Sequence, residues 1–397
     1  MKNTTLAIIG VGYVGINLAV RFPQFFKTLA FDIDKEKIDS LTGGVDSSNQ
    51  FSSDVVSNCG CIFTSNKDAL KEANYYLITV PTPLNSNNSP DQSLVEKAVT
   101  GLKAYLHPGD TIVIESTVMP GTTNSLKKIL GRDDIFLAFS PERVSPNDGY
   151  IQFEDIVKVI SCESQEKLKD LELIYNKVFK KVESSRDIEA CEFAKLLENT
   201  SRDISIAMMN EFYQGALKKG IDFNEAIRLA RSKWNFPDVS KGLVGGHCIS
   251  IDPHYLSSYL ESKEDSLILK SRRINDSMVE SLVERVLAIS KAGDKILLLG
   301  KTYKRNCNDT RNSRALELYE HLQKVSEIAV DSFDPYIDKS KQLLEYKNYD
   351  LIVTLVAHDE FMIDRGHWSK LLNPNGAIFD FAQVVPKELE KQIKIYY

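Results

Sequence analysis

The sequence predicts an α/β protein: two doubly wound parallel-sheet domains joined by a helical central domain that holds one long helix. Three observations carry this reading. Short apolar runs alternate with helical stretches at both ends of the chain, a glycine-rich turn follows the first apolar run, and residues 187–219 contain no proline and repeat their apolar positions at helical spacing. In order, residues 6–9 read as a strand, 16–26 as a helix, 28–32 as a strand and 35–41 as the start of a helix. Further strands are expected at 75–80, 111–115, 135–139 and 157–160. The long helix ends at Gly220, a glycine-rich loop runs from Lys241 to Cys248, and 266–291 reads as a second long helix. Strands then resume at 295–300, 328–333, 349–357 and 377–381. The expected domains are residues 1–186, 187–291 and 292–397.

The bulk properties agree with a globular protein of this size. Of 397 residues, 43% are hydrophobic and 26% charged, so the core needs no staples. The net charge of −6 argues against a nucleic-acid backbone or an anionic membrane as the main partner. No apolar run reaches the roughly 18–20 residues of a membrane span, and Met1 to Gly12 leads into a strand and turn rather than a signal-peptide pattern. The six cysteines are sparse and irregular, which suits free thiols in a reducing cytoplasm. Cys59 and Cys61 lack the His or Cys neighbours that would complete a zinc set, so no metal is expected.

Gly10-Val11-Gly12-Tyr13-Val14-Gly15 has the G-x-G-x-x-G spacing, directly after a strand and opening a helix. Gly10 allows the tight turn, Gly12 lets backbone approach a pyrophosphate, and Gly15 lets helix and strand pack closely. Unpaired N–H groups at the helix start then face the phosphates. Asp32, at the end of the second strand, can accept both ribose hydroxyl protons and repels a 2′-phosphate. The pattern is that of a Rossmann-like unit binding NAD; Lys35 and Lys37 nearby weaken the discrimination against NADP slightly. Val80-Pro81-Thr82-Pro83 and Glu115-Ser116-Thr117-Val118 each follow a later strand, where loops of such a sheet line the ligand crevice.

A second group of residues points to covalent chemistry. Cys248 and Asp252 lie four apart in Gly242-Leu-Val-Gly245-Gly246-His247-Cys248-Ile-Ser-Ile-Asp252. If a helix begins after Cys248, both side chains share a face, and its N-terminus favours the thiolate. A small buried cysteine on a loop is the plainer reading for any one thiol; the flanking glycines and Asp252 favour the nucleophile. Lys195 and Asn199 are one turn apart on the long helix, in a stretch apolar enough to bury the lysine, and Asp252 is a candidate partner. Glu142, in Ser140-Pro-Glu142-Arg143-Val144, follows the strand at 135–139. Gly300-Lys-Thr-Tyr303-Lys304 follows a strand of the last domain but lacks the three glycines, which argues against a second NAD site.

In these motifs the chain resembles the UDP-glucose/GDP-mannose dehydrogenase family, and the glycine loop, VPTP, ESTV, SPER, EFAKLLEN, GGHCISIDP and GKTYKRNCNDTRNS run in that family's order. The resemblance implies a four-electron oxidation of a nucleotide-sugar CH₂OH to a carboxylate with two NAD⁺ per turnover. Cys248 would carry a thiohemiacetal and then a thioester. Lys195, with Asn199, would stabilise oxyanions; Asp252 would orient a water and help take the first proton; Glu142 would be the base for hydrolysis, with Thr117 holding the water. NAD contacts would come from residues 10–15, Asp32, Lys37, Val80, Pro81, Thr82, Pro83, Ser116, Thr117 and Arg311. The sugar nucleotide would be met by Glu142, Arg143, Val144, Lys195, Asn199, Gly245, Gly246, His247, Tyr303 and Lys304, the last two in the C-terminal domain. His247, SPER and Lys233-Trp-Asn-Phe236 look like the branch acting on UDP-N-acetylhexosamines, and Pro146 stands where the UDP-glucose branch has a second Glu. UDP-N-acetylglucosamine, for surface polysaccharide synthesis, is the leading substrate; the galacto and manno epimers and UDP-glucose are alternatives. A cytoplasmic homodimer is expected. Two other classes remain: a two-electron β-hydroxyacid-type dehydrogenase, which needs neither Cys248 nor residues 295–397, and a non-catalytic nucleotide-binding regulator.

Overall fold

The central strands of the first sheet, Thr5–Ile9, Tyr75–Ile78, Thr111–Ile114 and Phe136–Phe139, are almost wholly apolar and buried, which is what a sheet covered by helices on both faces requires. The structure is a computed structural model and describes residues 4–48, 50–143, 152–362 and 365–397. The chain forms two units, Met1–Glu198 with His254–Glu261, and Asn199–Pro253 with Ser262–Tyr397. In the first unit β1 (Thr5–Ile9), β2 (Lys27–Phe31), β3 (Ile62–Thr64), β4 (Tyr75–Ile78), β5 (Thr111–Ile114), β6 (Phe136–Phe139), β7 (Lys158–Cys162) and β8 (Val182–Ser185) pair in the order β3-β2-β1-β4-β5-β6-β7-β8. Along β1, Leu6 and Ile8 face one buried cluster and Ala7 and Ile9 the other. The order reverses between β1 and β4, so the ligand crevice of such a sheet lies outside the C-terminal ends of these two strands.

The parallel arrangement expected from the sequence holds for six strands. β7 runs antiparallel to β6, and β8 is parallel to β7. A parallel return needs a crossover, usually a helix. The described residues between β6 and β7 offer only the single 3₁₀ turn Phe153–Asp155. β3 and β8 are edge strands of three and four residues, too short to show a periodicity.

The second unit contains β9 (Lys295–Leu299), β10 (Ala329–Phe333), β11 (Tyr349–Thr354), β12 (Leu372–Asp380) and β13 (Lys394–Tyr396), all parallel, in the order β10-β9-β11-β12-β13. Its switch point lies between β9 and β11. The long helix is Ile188–Lys218, 31 residues; Glu198 and Asn199 mark the division between the units along it. The second long helix expected at 266–291 is two helices, Leu267–Asp276 and Met278–Ile289. The Ser277 hydroxyl donates to the Ile274 carbonyl at 2.9 Å, a local bond that competes with helix continuation. Among the described residues, no helix is long and apolar enough to cross a membrane.

Candidate active site

The glycine turn is built as its spacing predicts. Gly10 has φ +96°, and its N–H donates to the Phe31 carbonyl at 2.8 Å. Gly12 stands at the start of the helix Tyr13–Arg21, whose first N–H groups have no side-chain cap, and a Cβ on Gly12 would point into open space. A Cβ on Gly15 would lie 2.1 Å from the Gly10 carbonyl oxygen. Uncapped N–H groups beside an open approach form a cradle that fits a pyrophosphate.

Asp32 completes the cradle. It accepts from the Val11 N–H and from the Lys37 ammonium, both at 2.9 Å, and from the Asp34 N–H at 3.0 Å. Burial pushes its carboxyl up, but the bonds from Asp34, Lys37 and Val11 outweigh it and hold the carboxyl below its ordinary value. Asp32 is therefore an ionised acceptor at neutral pH. Gly15→Ala is expected to raise the KM for NAD⁺ by about 10- to 100-fold, because backbone must move to admit the methyl; a titration of initial rate against NAD⁺ checks this.

Three loops leave neighbouring strands at the same end. Val80, Pro81, Thr82 and Pro83 follow β4; the Tyr255 hydroxyl donates to the Thr82 carbonyl at 3.1 Å. Ser116 and Thr117 follow β5, and the Ser116 hydroxyl donates to the Val80 carbonyl at 2.6 Å, tying the two loops together. Glu142 follows β6, its N–H donating to the Glu115 carbonyl and its carboxylate accepting from the Arg143 N–H at 2.8 Å. Arg143 is paired with Glu198 at 2.7 Å and donates to the Val157 carbonyl at 2.8 Å. Val144 and Pro146 lie outside the described residues.

Lys195 and Asn199 sit one turn apart on the long helix, and Lys195 is 6% exposed. Asp252, the candidate partner for Lys195, accepts from the Asn199 amide at 2.6 Å. The helix does not begin directly after Cys248: it is Asp252–Tyr259, with Pro253 in the first turn, where proline's missing N–H costs nothing. Cys248 is exposed and lies one turn earlier, its carbonyl accepting from the Ile251 and Asp252 N–H groups at 3.1 and 2.9 Å.

Within the second unit the cysteine loop meets two distant segments. The Gly246 N–H donates to the Asn312 carbonyl at 3.2 Å, and the Asn312 amide returns bonds to the Gly246 carbonyl and the Ser250 hydroxyl, both at 2.9 Å. Gly245 and Gly246 are required by contact: a Cβ would lie 2.3 Å from the Asn312 carbonyl oxygen in one case and 2.8 Å from the Tyr303 ring in the other. Burial, then the nearby Arg311, push the His247 imidazole below its ordinary value, with Asp309 opposing. Arg311 is itself paired with Asp309 at 2.7 Å.

A cavity of about 320 Å³ opens at the C-terminal ends of the second sheet, with Lys241, Thr302, Tyr303, Lys304, Arg305 and Arg314 in its wall. The Lys241 ammonium donates to the Phe381 carbonyl at 2.7 Å and lies 3.9 Å from the Phe381 ring centre. Sequence reasoning missed Lys241, Arg314 and the support beneath Tyr303. Asp334, just after β10, accepts from the Lys301 and Thr302 N–H groups at 2.7 and 3.1 Å and contacts His358 Nε2 at 3.0 Å. His358 Nδ1 accepts from the Asn306 N–H at 2.9 Å, which leaves the ring proton on Nε2, facing Asp334. Asp334 occupies the strand-end position that Asp32 holds in the first unit, a signal that was open to reading. As Asp32 accepts from the Val11 N–H, so this carboxylate accepts from the loop that follows the first strand of its own unit.

Three family models cover the chain in order: the NAD-binding domain of the UDP-glucose/GDP-mannose dehydrogenase family at residues 4–179, its central domain at 189–277 and its UDP-binding domain at 297–387. The chain belongs to the UDP-glucose/GDP-mannose dehydrogenase family. It is an NAD-dependent nucleotide-sugar dehydrogenase, and the glycine cradle and the C-terminal cavity lie in the family's NAD- and UDP-binding domains. Similar proteins include a UDP-N-acetyl-D-glucosamine 6-dehydrogenase of Salmonella typhi, 35% identical with 90% of each chain covered. Protein CapL of Staphylococcus aureus is 33% identical with 96% of each chain covered. Among solved structures, a UDP-D-ManNAc dehydrogenase of Pyrococcus horikoshii superposes with a TM-score of 0.84 at 29% identity, covering 97% of this chain and 96% of the other.

Proposed function

We propose that this dehydrogenase oxidises the C6 hydroxymethyl group of a UDP-N-acetylhexosamine, UDP-N-acetylglucosamine first, to the uronate through a thioester on Cys248. The observation that carries this reading is the meeting of Gly245 and Gly246 with Asn312 and Tyr303, which sets the exposed Cys248 thiol on a loop shaped by the residues matched to the sugar nucleotide. Bound NAD⁺ supplies the acceptor for each of two hydrides. Asp252, oriented by Asn199, takes the first proton through a water. Lys195 and Asn199 stabilise the oxyanions at C6. The Cys248 thiolate adds to the aldehyde and holds the carbon through the second oxidation, so that no free aldehyde escapes. Glu142 then takes one proton from a water held by Thr117; the water oxygen bonds to the thioester carbon, the carbon–sulfur bond breaks with the sulfur leaving as thiolate, and the carboxylic acid formed gives its remaining proton to solvent and departs as uronate.

The N-acetylglucosamine preference rests on His247, SPER, the Lys233–Phe236 stretch and the Salmonella relative; the Pyrococcus neighbour supports the manno epimer as the second reading. Residues 1–186, 187–291 and 292–397 act as NAD-binding, central and UDP-sugar-binding segments of a homodimer in surface-polysaccharide synthesis. Exposed Leu197 and Phe212 on the long helix support the dimer. The test follows NADH and uronate with UDP-glucose and the three UDP-N-acetylhexosamines. Two NADH per uronate are expected, with kcat/KM for one N-acetylated sugar at least about tenfold above UDP-glucose; one NADH per substrate would sink the reading.

Burial holds Lys241 down to about 7, against the pull of Asp380. The side chain is therefore cationic below that pH and neutral above it. A sugar diphosphate should bind about tenfold more weakly at pH 8.5 than at pH 6, and Lys241→Met should flatten the profile in calorimetric titrations with UDP-glucose.

A further inference from the structure

Lys158, on β7, is a buried lysine that the proposed mechanism does not use. Its side chain is 2% exposed, and its ammonium makes three bonds: to the Glu115 carboxylate at 2.5 Å, to the Ser140 carbonyl at 3.1 Å and to the Pro141 carbonyl at 3.0 Å. Ser140 and Pro141 are the two residues before Glu142, and Glu115 is the residue before Ser116 and Thr117. One cation thus joins the loop after β5 to the loop after β6. The Tyr175 hydroxyl donates to the other Glu115 oxygen, so Glu115 is held from both sides. Burial pushes the Glu115 carboxyl up, and Lys158 opposes this. Ser116 has its own anchors on the Ile78 and Val80 carbonyls, independent of Lys158. The Ser140–Glu142 backbone has Lys158 as its buried side-chain donor.

We infer that Lys158 is a positioning residue that aims Glu142 at the attacking water, so that its loss slows release of the acyl group from Cys248 and spares both oxidations. This rests on Glu142 being the base for thioester hydrolysis. Water contributes its oxygen to the acyl carbon, one proton to Glu142 and the other to solvent, and the Cys248 sulfur leaves as thiolate with the carbon–sulfur bonding pair; the step is not a redox step. A donor moved by about 1 Å is enough to cost up to 100-fold in such a reaction.

Lys158→Met would strand the Glu115 charge, so the test uses Lys158→Met with Glu115→Gln. With UDP-N-acetylglucosamine and NAD⁺ in rapid-quench experiments, the first two NADH per site are expected within about twofold of the parent rate. Steady-state turnover should fall about 10- to 100-fold, and intact-mass spectrometry should show the nucleotide-uronyl adduct accumulating on Cys248. Lys158→Arg, which keeps charge and donors at a different length, should show the same partition to a smaller degree, and is the variant to use if the double one does not fold. Tyr175→Phe, which removes the hydroxyl's contacts with Glu115 and the Ser140 side chain but keeps the Lys158 bonds to the Ser140 and Pro141 carbonyls, should show no adduct. Equal slowing of oxidation and release, unchanged turnover, or an adduct as large in Tyr175→Phe overturns the role of Lys158. Absence of any adduct in Glu142→Gln would instead remove Glu142 as the base, whatever Lys158 does.

Discussion

Cys248→Ser is expected to lower uronate formation on the order of 10⁴-fold or more, the scale seen when a covalent nucleophile is removed. A serine hydroxyl is neutral at pH 7 and adds to an aldehyde far less readily than a thiolate. The fold should not change, because Cys248 is exposed and the loop is shaped by Gly245, Gly246, Asn312 and Ser250. Binding of UDP-sugar should therefore stay within about twofold of the parent, since no contact of the cavity wall is lost. Uronate measured by anion-exchange chromatography, alongside calorimetric binding, separates the two effects. Turnover within tenfold of the parent would falsify the covalent route.

Lys195→Met is expected to lower kcat about 10²- to 10³-fold, equivalent to about 3–4 kcal/mol of lost oxyanion stabilisation, with little change in KM. Lys195 is 6% exposed, and among the described residues no ion pair or hydrogen bond engages it. Methionine has a similar shape and removes the cost of burying a charge, so the melting temperature should be kept or raised. Loss of kcat with an intact melt distinguishes a chemical role from a structural one. A drop of less than tenfold in kcat would remove Lys195 from the mechanism.

The cofactor cradle was legible because each of its requirements is local. Gly10 needs a positive φ, Gly15 needs room against its own turn, and Asp32 needs to end the next strand; all three follow from spacing along one βαβ unit. The order of motifs carried the family, and with it the nucleotide-sugar chemistry. The direction of β7 was not legible, since an apolar run reads the same whichever way it enters a sheet. Nor was the break at Ser277, where a single hydroxyl bond ends an otherwise continuous helical pattern. Asp334 was open to reading from its strand-end position, but His358 was not, because its partner Asn306 lies 52 residues away in sequence.

From residue order alone follow the α/β class and the dinucleotide cradle, because backbone conformation and hydrophobic periodicity act over a few residues. Tertiary structure decided which groups became partners. Asp252 went to Asn199, 53 residues away, Gly246 to Asn312, 66 away, and Lys158 to Glu115, 43 away. Buried polar groups must be paired, and in a low-dielectric interior the partner is whichever group the fold brings within about 3 Å, a choice that local spacing does not encode.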